Sequence, residues 1–528
     1  MGGTLSRMTA DEMEPTVALL IALVAGTSYY MVYHLGVRGR VAAAKSKEGA
    51  AGAHSALRDV PLMGVIWCVS EACKLGFYNG NPEWSNLGQG QPEIDDMPGA
   101  PDRPDGVDMT ASDCAYGPIG GTQALREAIA AHYNRLYRQG MASQYTAANV
   151  SVASGGRLVL SRLFAALRKG ARVGYKVPDY TAYEDYFWYA MGRGIVPVCI
   201  DCEAPYHLEA KQLRDVMHGG TSMNPGGLDC VVVSNPANPT GYAATGEELE
   251  QYCTDAAKDD CLLVLDEFYS HFVDHPAAAA ALKNWMDRPD SGKGSRAALK
   301  LPEALPGVSA AAVIDDIEAS PIVLIDGLTK CFRLPGMRIG WIVGPEAIVA
   351  AVTRTASAVD GGPPQAMQKL AIEMLEESRA DQELAALQAN FTHKRDTMVA
   401  ALEEMGMVVE PNSGSYTFYL WVDISALPPP LNYGRSFFAE ALKRKVMVRQ
   451  RMHAAADLAL FHNNGSPMLT PLFSALLSLS LSPSLPRLCQ ANFLMCARTV
   501  AAQAARRALA ARGTRSCCAS RSDPTSTT

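Results

Sequence analysis

The chain is 528 residues long, with 48% hydrophobic and 19% charged residues, a composition typical of globular rather than disordered proteins. This length exceeds what one hydrophobic core usually fills, which favours two domains with appendages. The formal net charge of −7 provides no basic surface for a polyanion, so nucleic acid is not an expected partner. The CxxC formed by Cys199 and Cys202 has no second pair to complete a zinc site. We therefore expect free thiols and no metal site.

The amino-terminal segment contains an apolar run at residues 16–37, about long enough to cross a bilayer core of about 30 Å as a helix. Asp11 and Glu14 precede the run, while Arg38 and Arg40 follow it, the reverse of a secretory signal peptide. By the positive-inside rule, this charge pattern predicts a single-pass membrane protein whose main body is cytoplasmic. The alternatives are a helix packed on the protein's own body or an organelle-targeting leader. In those cases the protein is soluble, either cytoplasmic or organellar.

Changes in composition divide the chain further. Residues 1–15 are a short tail, and residues 38–110, rich in Gly, Pro and Asp, are predicted to contribute to a small domain. Residues 111–360 are predicted to form a large domain and residues 361–512 a carboxyl-terminal small domain. A disordered tail is predicted at 513–528.

Regular periodicity begins after residue 117. Thr122 can cap a helix that carries Leu125 and Ile129 on one face. Four short apolar runs, bounded by turn or polar residues, follow at 230–233, 262–265, 322–325 and 339–343. Uninterrupted apolar runs are typical of strands buried on both faces of a parallel sheet.

Helices are predicted between and after these strands. A capping box at 245–248 begins a helix that continues to about residue 259. Residues 346–405 have the pattern of long helices, and residues 415–422 that of a further strand. Strand, helix and strand in succession predict an α/β fold with a mostly parallel central sheet flanked by helices.

Three motifs follow successive predicted strands. NPANPTG at 235–241 follows the first apolar run, DEFY at 266–269 ends the second, and GLTK at 327–330 ends the third. Arg338 comes eight residues after the lysine. Taken singly, each motif is more often a turn, a cap or a solvated loop charge. Their shared placement indicates function, because ligands of open α/β sheets bind at the carboxyl ends of strands.

In this order the motifs resemble those of the class I/II aminotransferases, the large fold-type-I group of pyridoxal-phosphate (PLP) enzymes. The similarity runs from about residue 84 to about residue 422. It implies the PLP-dependent transferase fold, in which a smaller α+β domain joins the large sheet domain. It also implies PLP as cofactor, an amino acid and a 2-oxo acid as substrates, and a homodimer.

The resemblance also implies roles for individual residues. Lys330 is similar to the lysine that forms the Schiff base with PLP, and Asp266 to the carboxylate that pairs with the ring nitrogen. The other implied contacts are Gly155, Gly156, Arg157 and Arg338 at the phosphate, Tyr180 stacked on the ring, Asn238 and Tyr269 at the phenolic oxygen, and Tyr116 at the phosphate of the partner subunit.

These residue types suit the chemistry. A lysine amine can form an imine and, once freed, move a proton. A buried carboxylate stabilises a protonated ring nitrogen. A helix amino terminus with two glycines accommodates a phosphate, and an arginine adds a bidentate contact.

The chain also departs from the family pattern. Gly327 stands where family members often carry a serine that contacts the phosphate, and residues 276–320 resemble an insertion that we expect to be a surface excursion. Arg487 is the local match to the family's substrate-carboxylate arginine. It follows a Ser/Leu/Pro-rich tract, and residues 466–490 resemble either a translated intron or a genuine low-complexity linker.

The sequence therefore predicts an aminotransferase that transfers an amino group between an L-amino acid and a 2-oxo acid. One alternative is a lyase or synthase of the same fold, of the carbon–sulfur lyase or aminocyclopropane-carboxylate synthase type. The other is a membrane-tethered, catalytically dead PLP-binding protein, which would apply if a working substrate arginine is lacking.

Overall fold

The computed structural model describes residues 62, 64–88, 90–187, 194–203, 205–219, 226–288, 299–410 and 412–448. The chain divides into two compact units, Met1–Leu62 and Met63–Thr528. Of the first unit only Leu62 is described, so every element named below belongs to the second. The predictions for residues 1–15, 16–37, 466–490 and 513–528 lie outside the described residues.

A central sheet and two short strand pairs form the β-structure of the described residues. The strands are β1 (Ser85–Asn86), β2 (Val150–Ala153), β3 (Arg172–Val177), β4 (Val196–Asp201), β5 (Cys230–Ser234), β6 (Leu262–Asp266), β7 (Ile322–Gly327), β8 (Gly340–Val343), β9 (Val408–Val409), β10 (Val422–Asp423) and β11 (Val446–Met447). The seven-stranded sheet has the order β2-β8-β7-β6-β5-β3-β4. Strands β3 to β7 are mutually parallel, and β8 is antiparallel to both neighbours. The predicted mostly parallel sheet is confirmed.

Helices cover both faces of this sheet. They are α1 (Gly64–Cys73), α2 (Gln123–Tyr137), α3 (Gly156–Ala166), α4 (Ala182–Asp185), α5 (Ala210–His218), α6 (Gly246–Lys258), α7 (Pro276–Met286), α8 (Glu346–Val359), α9 (Gln365–Met374), α10 (Glu377–Glu404) and α11 (Gly434–Lys443). Buried residues of α2 and α6 join one core layer, and those of α3 and α8 join the other. The α/β class is therefore confirmed.

Strand β5 shows why the apolar runs are uninterrupted. Val231 and Val233 belong to the core layer on one face, whereas Cys230 and Val232 belong to the layer on the other. Because successive strand residues point to opposite faces, a strand covered on both sides must be apolar at every position. The central strands are therefore enclosed by a core layer on each face of the sheet.

The predicted element boundaries have mixed outcomes. Thr122 caps α2 by accepting a hydrogen bond from the backbone N–H of Leu125 at 3.4 Å. The helix predicted after Thr245 is confirmed, but Thr245 makes no side-chain cap hydrogen bond, so the capping box is not formed. The strand predicted at 415–422 is wrong except for Val422, because Gly414 has φ +77° and the chain turns there instead of extending.

The expectation that residues 276–320 are a surface excursion is also wrong for the parts that the structure describes, 276–288 and 299–320. Helix α7 packs against α10, with Ala278 and Leu282 buried against Ala389. Farther along the stretch, Ile314 and Ile317 are buried in the main core. Apolar residues recur on the buried sides of this segment, so it forms part of the domain rather than a loop upon it.

The amino-terminal and carboxyl-terminal parts of the described chain meet in a smaller cluster. Strand β1 pairs in parallel with β11, and Trp84 packs with Phe438 and Met447. This pairing agrees with a small domain built from both ends of the chain, although the predicted domain bounds themselves stay a prediction.

Two further predictions concern cysteines and the membrane. The cysteines within the described ranges are free thiols, as expected. Among the residues that the structure describes, no helix is long and apolar enough to cross a bilayer. Within those residues the prediction of a single-pass membrane protein with a cytoplasmic body is contradicted, whereas its segment 16–37 lies outside them.

Candidate active site

The carboxyl ends of three neighbouring strands carry the candidate site. Strands β5, β6 and β7 are adjacent and parallel, so Asn238, Asp266 and Lys330 lie along one edge of the sheet. The structure thus brings together the three motifs that the sequence places after successive apolar runs. This edge is where open α/β sheets bind their ligands.

Lys330 follows β7, and its ammonium group contacts a carbonyl and two aromatic rings. Nζ donates a hydrogen bond to the carbonyl oxygen of Gly90 at 2.5 Å. It also lies 5.8 Å from the ring centre of Tyr269 and 5.6 Å from that of Phe418. A carbonyl oxygen and ring faces all attract a cation, so Nζ has a defined position at the sheet edge.

Asp266 ends β6 with a buried carboxyl group. The hydroxyl of Tyr183 donates to Oδ2 at 2.8 Å, and the backbone N–H of Phe268 donates to Oδ1 at 3.4 Å. Burial raises the pKa of Asp266 to about 7, and the charge of Asp179 adds to the rise, while the Tyr183 hydrogen bond and Lys330 oppose it. A buried carboxyl group in this state is stabilised by a cation placed beside it.

A second buried carboxylate, Asp179, links the ends of β3 and β5. Oδ1 accepts hydrogen bonds from the backbone N–H of Tyr180 at 2.7 Å and from the hydroxyl of Ser234. Oδ2 accepts one from the backbone N–H of Ser234 at 3.2 Å. Ser234 Oγ in turn accepts the backbone N–H of Asn238 at 2.9 Å. One carboxylate therefore positions two of the predicted cofactor contacts, Tyr180 and Asn238.

The amino terminus of α3 lies beside the turn that precedes β8. Gly155 caps α3 with φ +91°, and a β-carbon there would lie 2.2 Å from Nη2 of Arg338. Arg338 itself has φ 53°, a left-handed conformation that non-glycine residues rarely adopt. Its Nη1 donates to the carbonyl of Pro335 at 2.9 Å. Arg157, in the first turn of α3, donates from Nε to the hydroxyl of Tyr180 at 3.2 Å.

The structure explains why a glycine stands at position 327. A β-carbon there would lie 2.5 Å from the carbonyl oxygen of Ile339 and 2.7 Å from Cα of Gly340. Both atoms belong to the backbone and cannot move aside easily. The family's serine therefore has no room here, and phosphate contacts must come from other residues.

Four residues of the candidate site belong to none of the motifs found in the sequence. Gly90 and Tyr419 approach each other closely, since a β-carbon at Gly90 would lie 2.2 Å from the Tyr419 hydroxyl oxygen. That hydroxyl also accepts a hydrogen bond from Tyr269 at 3.0 Å. Tyr183 and Asp179 could have been suspected, because they flank Tyr180 in the polar stretch that follows β3. Nothing in the sequence marks Gly90 or Tyr419.

Of two further predicted site residues, one is exposed and the other lies outside the described residues. Tyr116 is fully exposed, in a segment held by Gln365, which donates to the carbonyls of Ser112 and Ala115 at 3.0 and 2.8 Å. Arg487, the predicted substrate contact, lies outside the described residues. The described residues therefore do not test the assignment of Arg487 as a substrate contact.

The arrangement fits a flat cationic ring that bears a phosphate group. At one end, α3 offers a helix amino terminus in which Gly156 packs directly on the ring of Phe268, and Arg338 lies over Gly155. At the other end, the buried Asp266 provides the negative partner for a protonated ring nitrogen. These two ends are the donor and acceptor sets that PLP needs.

Comparisons with known proteins agree with this geometry. The family model for aminotransferase class I and II matches residues 82–457. An aspartate aminotransferase from Bacillus sp. (strain YM-2) is 27% identical over 315 residues, 59% of this chain and 68% of the relative. A probable N-succinyldiaminopimelate aminotransferase from Mycobacterium tuberculosis is 27% identical over 372 residues, 69% of this chain and 80% of the relative.

The fold is similar to that of solved structures. An aspartate aminotransferase from Thermus thermophilus with maleate has a TM-score of 0.56 and 20% identity, covering 74% of this chain and 89% of its own. An N-succinyldiaminopimelate aminotransferase from Mycobacterium tuberculosis has a TM-score of 0.54 and 23% identity, covering 75% and 89%. At these identities the likeness shows the fold. None of these matches supports the predicted membrane anchor.

Proposed function

This chain belongs to the class I and II aminotransferases and is a PLP-dependent transaminase, and from that premise we propose that Lys330, Asp266 and Arg338 carry its chemistry. The observation that supports these roles is the single edge formed by the ends of β5, β6 and β7. A cationic lysine, a buried carboxyl group and an arginine beside a helix amino terminus meet there.

The proposed cofactor contacts follow from this placement. Arg338 and the α3 terminus at Gly155, Gly156 and Arg157 would bind the phosphate, and Asp266 would pair with the ring nitrogen. Tyr180 would lie against the ring, with Asn238 and Tyr269 at the phenolic oxygen. When bound, PLP supplies an electron sink that stabilises negative charge at the substrate's α-carbon.

Lys330 would move the proton. In the described structure Nζ is held by the Gly90 carbonyl and by the rings of Tyr269 and Phe418. From this position the free amine would take the proton from the substrate's α-carbon and hold it on Nζ until it is returned. The surrounding rings would keep water away from that transfer.

A Lys330→Ala variant tests the assignment. We expect no absorbance band from lysine-bound cofactor and a loss of turnover of at least about 10³-fold, because one residue provides both attachment and proton transfer. Lys258→Ala, at an exposed position on α6, is the matched control and should keep both. A Lys330→Ala protein that retains the band would overturn the assignment.

A donor and acceptor panel tests the reaction type and the substrates. Aspartate is the first donor to try, because the matched relatives include aspartate aminotransferases. It would be followed by other amino acids, each with 2-oxoglutarate or pyruvate. A transaminase accumulates pyridoxamine phosphate when given an amino acid alone, whereas a lyase does not. An unchanged band with every donor would favour the catalytically dead alternative.

We also propose a homodimer in which Tyr116 reaches the partner's site. The side chain of Tyr116 is fully exposed and therefore accessible to a second subunit, as a contact with the partner's site requires. Analytical ultracentrifugation of the cofactor-loaded protein measures the mass. A monomer at micromolar concentration would contradict the proposal.

The division into residues 38–110 and 361–512 as a small domain around the large domain 111–360 is likewise proposed. The pairing of β1 with β11 supports it.

A further inference from the structure

Tyr183 lies on the short helix α4, directly after the Pro178–Tyr180 turn that follows β3. Its side chain is completely buried, and its hydroxyl donates to Oδ2 of Asp266 at 2.8 Å. The only other hydrogen bond to this carboxyl group in the described chain, from the backbone N–H of Phe268, is longer at 3.4 Å. The tyrosine is therefore the better placed of the two donors.

The position of the Tyr183 ring is itself constrained. It meets the ring of Tyr180 edge to face, with centres 5.6 Å apart and planes at 88°. Tyr180 in turn donates its backbone N–H to Asp179 and accepts a hydrogen bond from Arg157 at its hydroxyl. The ring proposed to lie against the cofactor thus also fixes the donor that holds Asp266.

The hydroxyl remains a donor over the working range of pH. Burial and the neighbouring carboxylates Asp266 and Asp179 raise the pKa of Tyr183 well above 10. Burial and the charge of Asp179 also favour the protonated form of Asp266, whereas Lys330 and Tyr183 oppose it. Asp326 of β7 and the neighbouring Glu267 also interact with the charge of Asp266, which adds to the effect of burial in raising the pKa of each.

We infer that Tyr183 is a positioning residue whose hydroxyl keeps Asp266 ionised and aimed at the ring nitrogen of the cofactor. The inference rests on the proposed function, in which Asp266 pairs with that nitrogen. An ionised carboxylate gains about twice as much from a donor as a neutral group does, so the hydrogen bond favours the charged form. Oδ2 of Asp266 thereby has a hydrogen-bond donor within the protein.

Tyr183→Phe tests this, because it removes one oxygen and keeps the ring. The cofactor-loaded protein is prepared with PLP labelled at the ring nitrogen with ¹⁵N, and the chemical shift reports whether that nitrogen is protonated. Without the hydroxyl, the Asp266 carboxylate becomes more basic and draws the proton from the ring. We expect the resonance to move towards the unprotonated position and kcat to fall about tenfold, with KM changed less.

Two reference variants make the result decisive. Tyr252→Phe removes another buried hydroxyl, which donates to the carbonyl of Leu208 away from the site, and should leave the resonance unchanged. Asp266→Ala should move it further than Tyr183→Phe does. If Asp266→Ala moves the resonance and Tyr183→Phe does not, the inference is overturned while the role of Asp266 stands. If neither moves it, the proposed pairing of Asp266 with the ring nitrogen fails as well.

A titration of the wild-type protein covers the case in which Tyr183→Phe does not bind the cofactor. With Tyr183 in place, the ring nitrogen should stay protonated from mildly acidic to mildly alkaline solution. A wild-type resonance that titrates near neutral pH would show that Asp266 is not held ionised, and would overturn the inference.

Discussion

Asp266 and Glu267 are consecutive residues at the end of β6, yet their side chains belong to two different environments. Asp266 faces the candidate active site, where Tyr183 donates to it and Lys330 lies nearby. Glu267 faces the segment after α7, where its carboxyl oxygens accept the hydroxyl of Ser309 at 2.6 Å and the backbone N–H of Ala310 at 2.8 Å. Both groups are buried.

Burial alone would have the same effect on both carboxyl groups, because it raises the pKa of each and favours its neutral form. It raises the pKa of Asp266 to about 7 and that of Glu267 to about 8. The difference is that Lys330 favours the charged form of Asp266, whereas Glu267 has neutral donors and the carboxylate of Asp266 beside it. Under the proposed function, two consecutive residues thus supply a charge for the chemistry on one side of the strand end and a neutral hydrogen-bonding group for the fold on the other.

The strongest test of this contrast is Asp266→Asn. The amide keeps the shape but cannot supply the negative charge for the ring nitrogen, so kcat should fall by about 10²–10³-fold. Glu267→Gln, one residue later, should keep activity within a few-fold of wild type, because Glu267 faces away from the site. Steady-state kinetics of both variants measure the difference, and comparable losses would show that the two sides are not separate.

Glu267→Gln should instead change how stability depends on pH. The pKa of Glu267 in the folded protein, about 8, lies above its ordinary 4.5. Its contribution to stability is therefore fully present below pH 4.5 and is lost as pH rises towards 8. Glutamine resembles the neutral acid at every pH, so the variant should lack that loss, on the order of 5 kcal/mol between pH 4.5 and pH 8.

Urea unfolding across this pH range measures the effect. Glu250→Gln, at an exposed position on α6, serves as the control and should unfold with the wild-type pH dependence. An unchanged slope in Glu267→Gln would mean that Glu267 is charged in the folded protein, and the contrast with Asp266 would disappear.

Much of the environment of Asp266 could be predicted from the sequence, because its strands and motifs are each formed by residues that are close together in the chain. The apolar runs predicted the strands, and the motifs directly after them, through their resemblance to those of the family, pointed to Asp266 and Lys330. The other side could not be predicted. Glu267 is held by Ser309, which lies more than forty residues away in a stretch rich in alanine and glycine, and such composition is typical of loops as well as of cores.

Hydrogen bonds between elements that are distant in the sequence could not be predicted for the same reason. Tyr183 donates to Asp266 only because β3 and β6 lie on either side of β5, an order that a single sequence does not reveal. Tyr419 accepts the hydroxyl of Tyr269 and lies in an irregular segment where the sequence predicts a strand. The predicted roles of the cofactor contacts, and Arg487, stay predictions.

The variant Gly327→Ser tests whether the candidate site can accommodate the serine that family members often have at this position. The added β-carbon would approach the Ile339 carbonyl and Gly340 at 2.5 and 2.7 Å, so the antiparallel pairing of β7 with β8 would have to shift. We expect a loss of about 2 kcal/mol in unfolding free energy. Gly106→Ser, where no atom lies within 4 Å of the new β-carbon, is the control. Equal stability of the two variants would show that Gly327 is not sterically required.

Ser309→Ala has the smallest expected effect and tests the environment of Glu267. The variant removes the hydroxyl that donates to Glu267 and that also accepts the backbone N–H of Ala311 at 3.2 Å. Because Glu267 keeps its hydrogen bond from Ala310, the unfolding free energy should fall by only about 1 kcal/mol, with kcat unchanged. Ser357→Ala, at an exposed position on α8, should have no effect. A fall in kcat in Ser309→Ala would mean that the hydrogen bonding of Glu267 is transmitted through β6 to Asp266, and the two environments would then have to be treated as one.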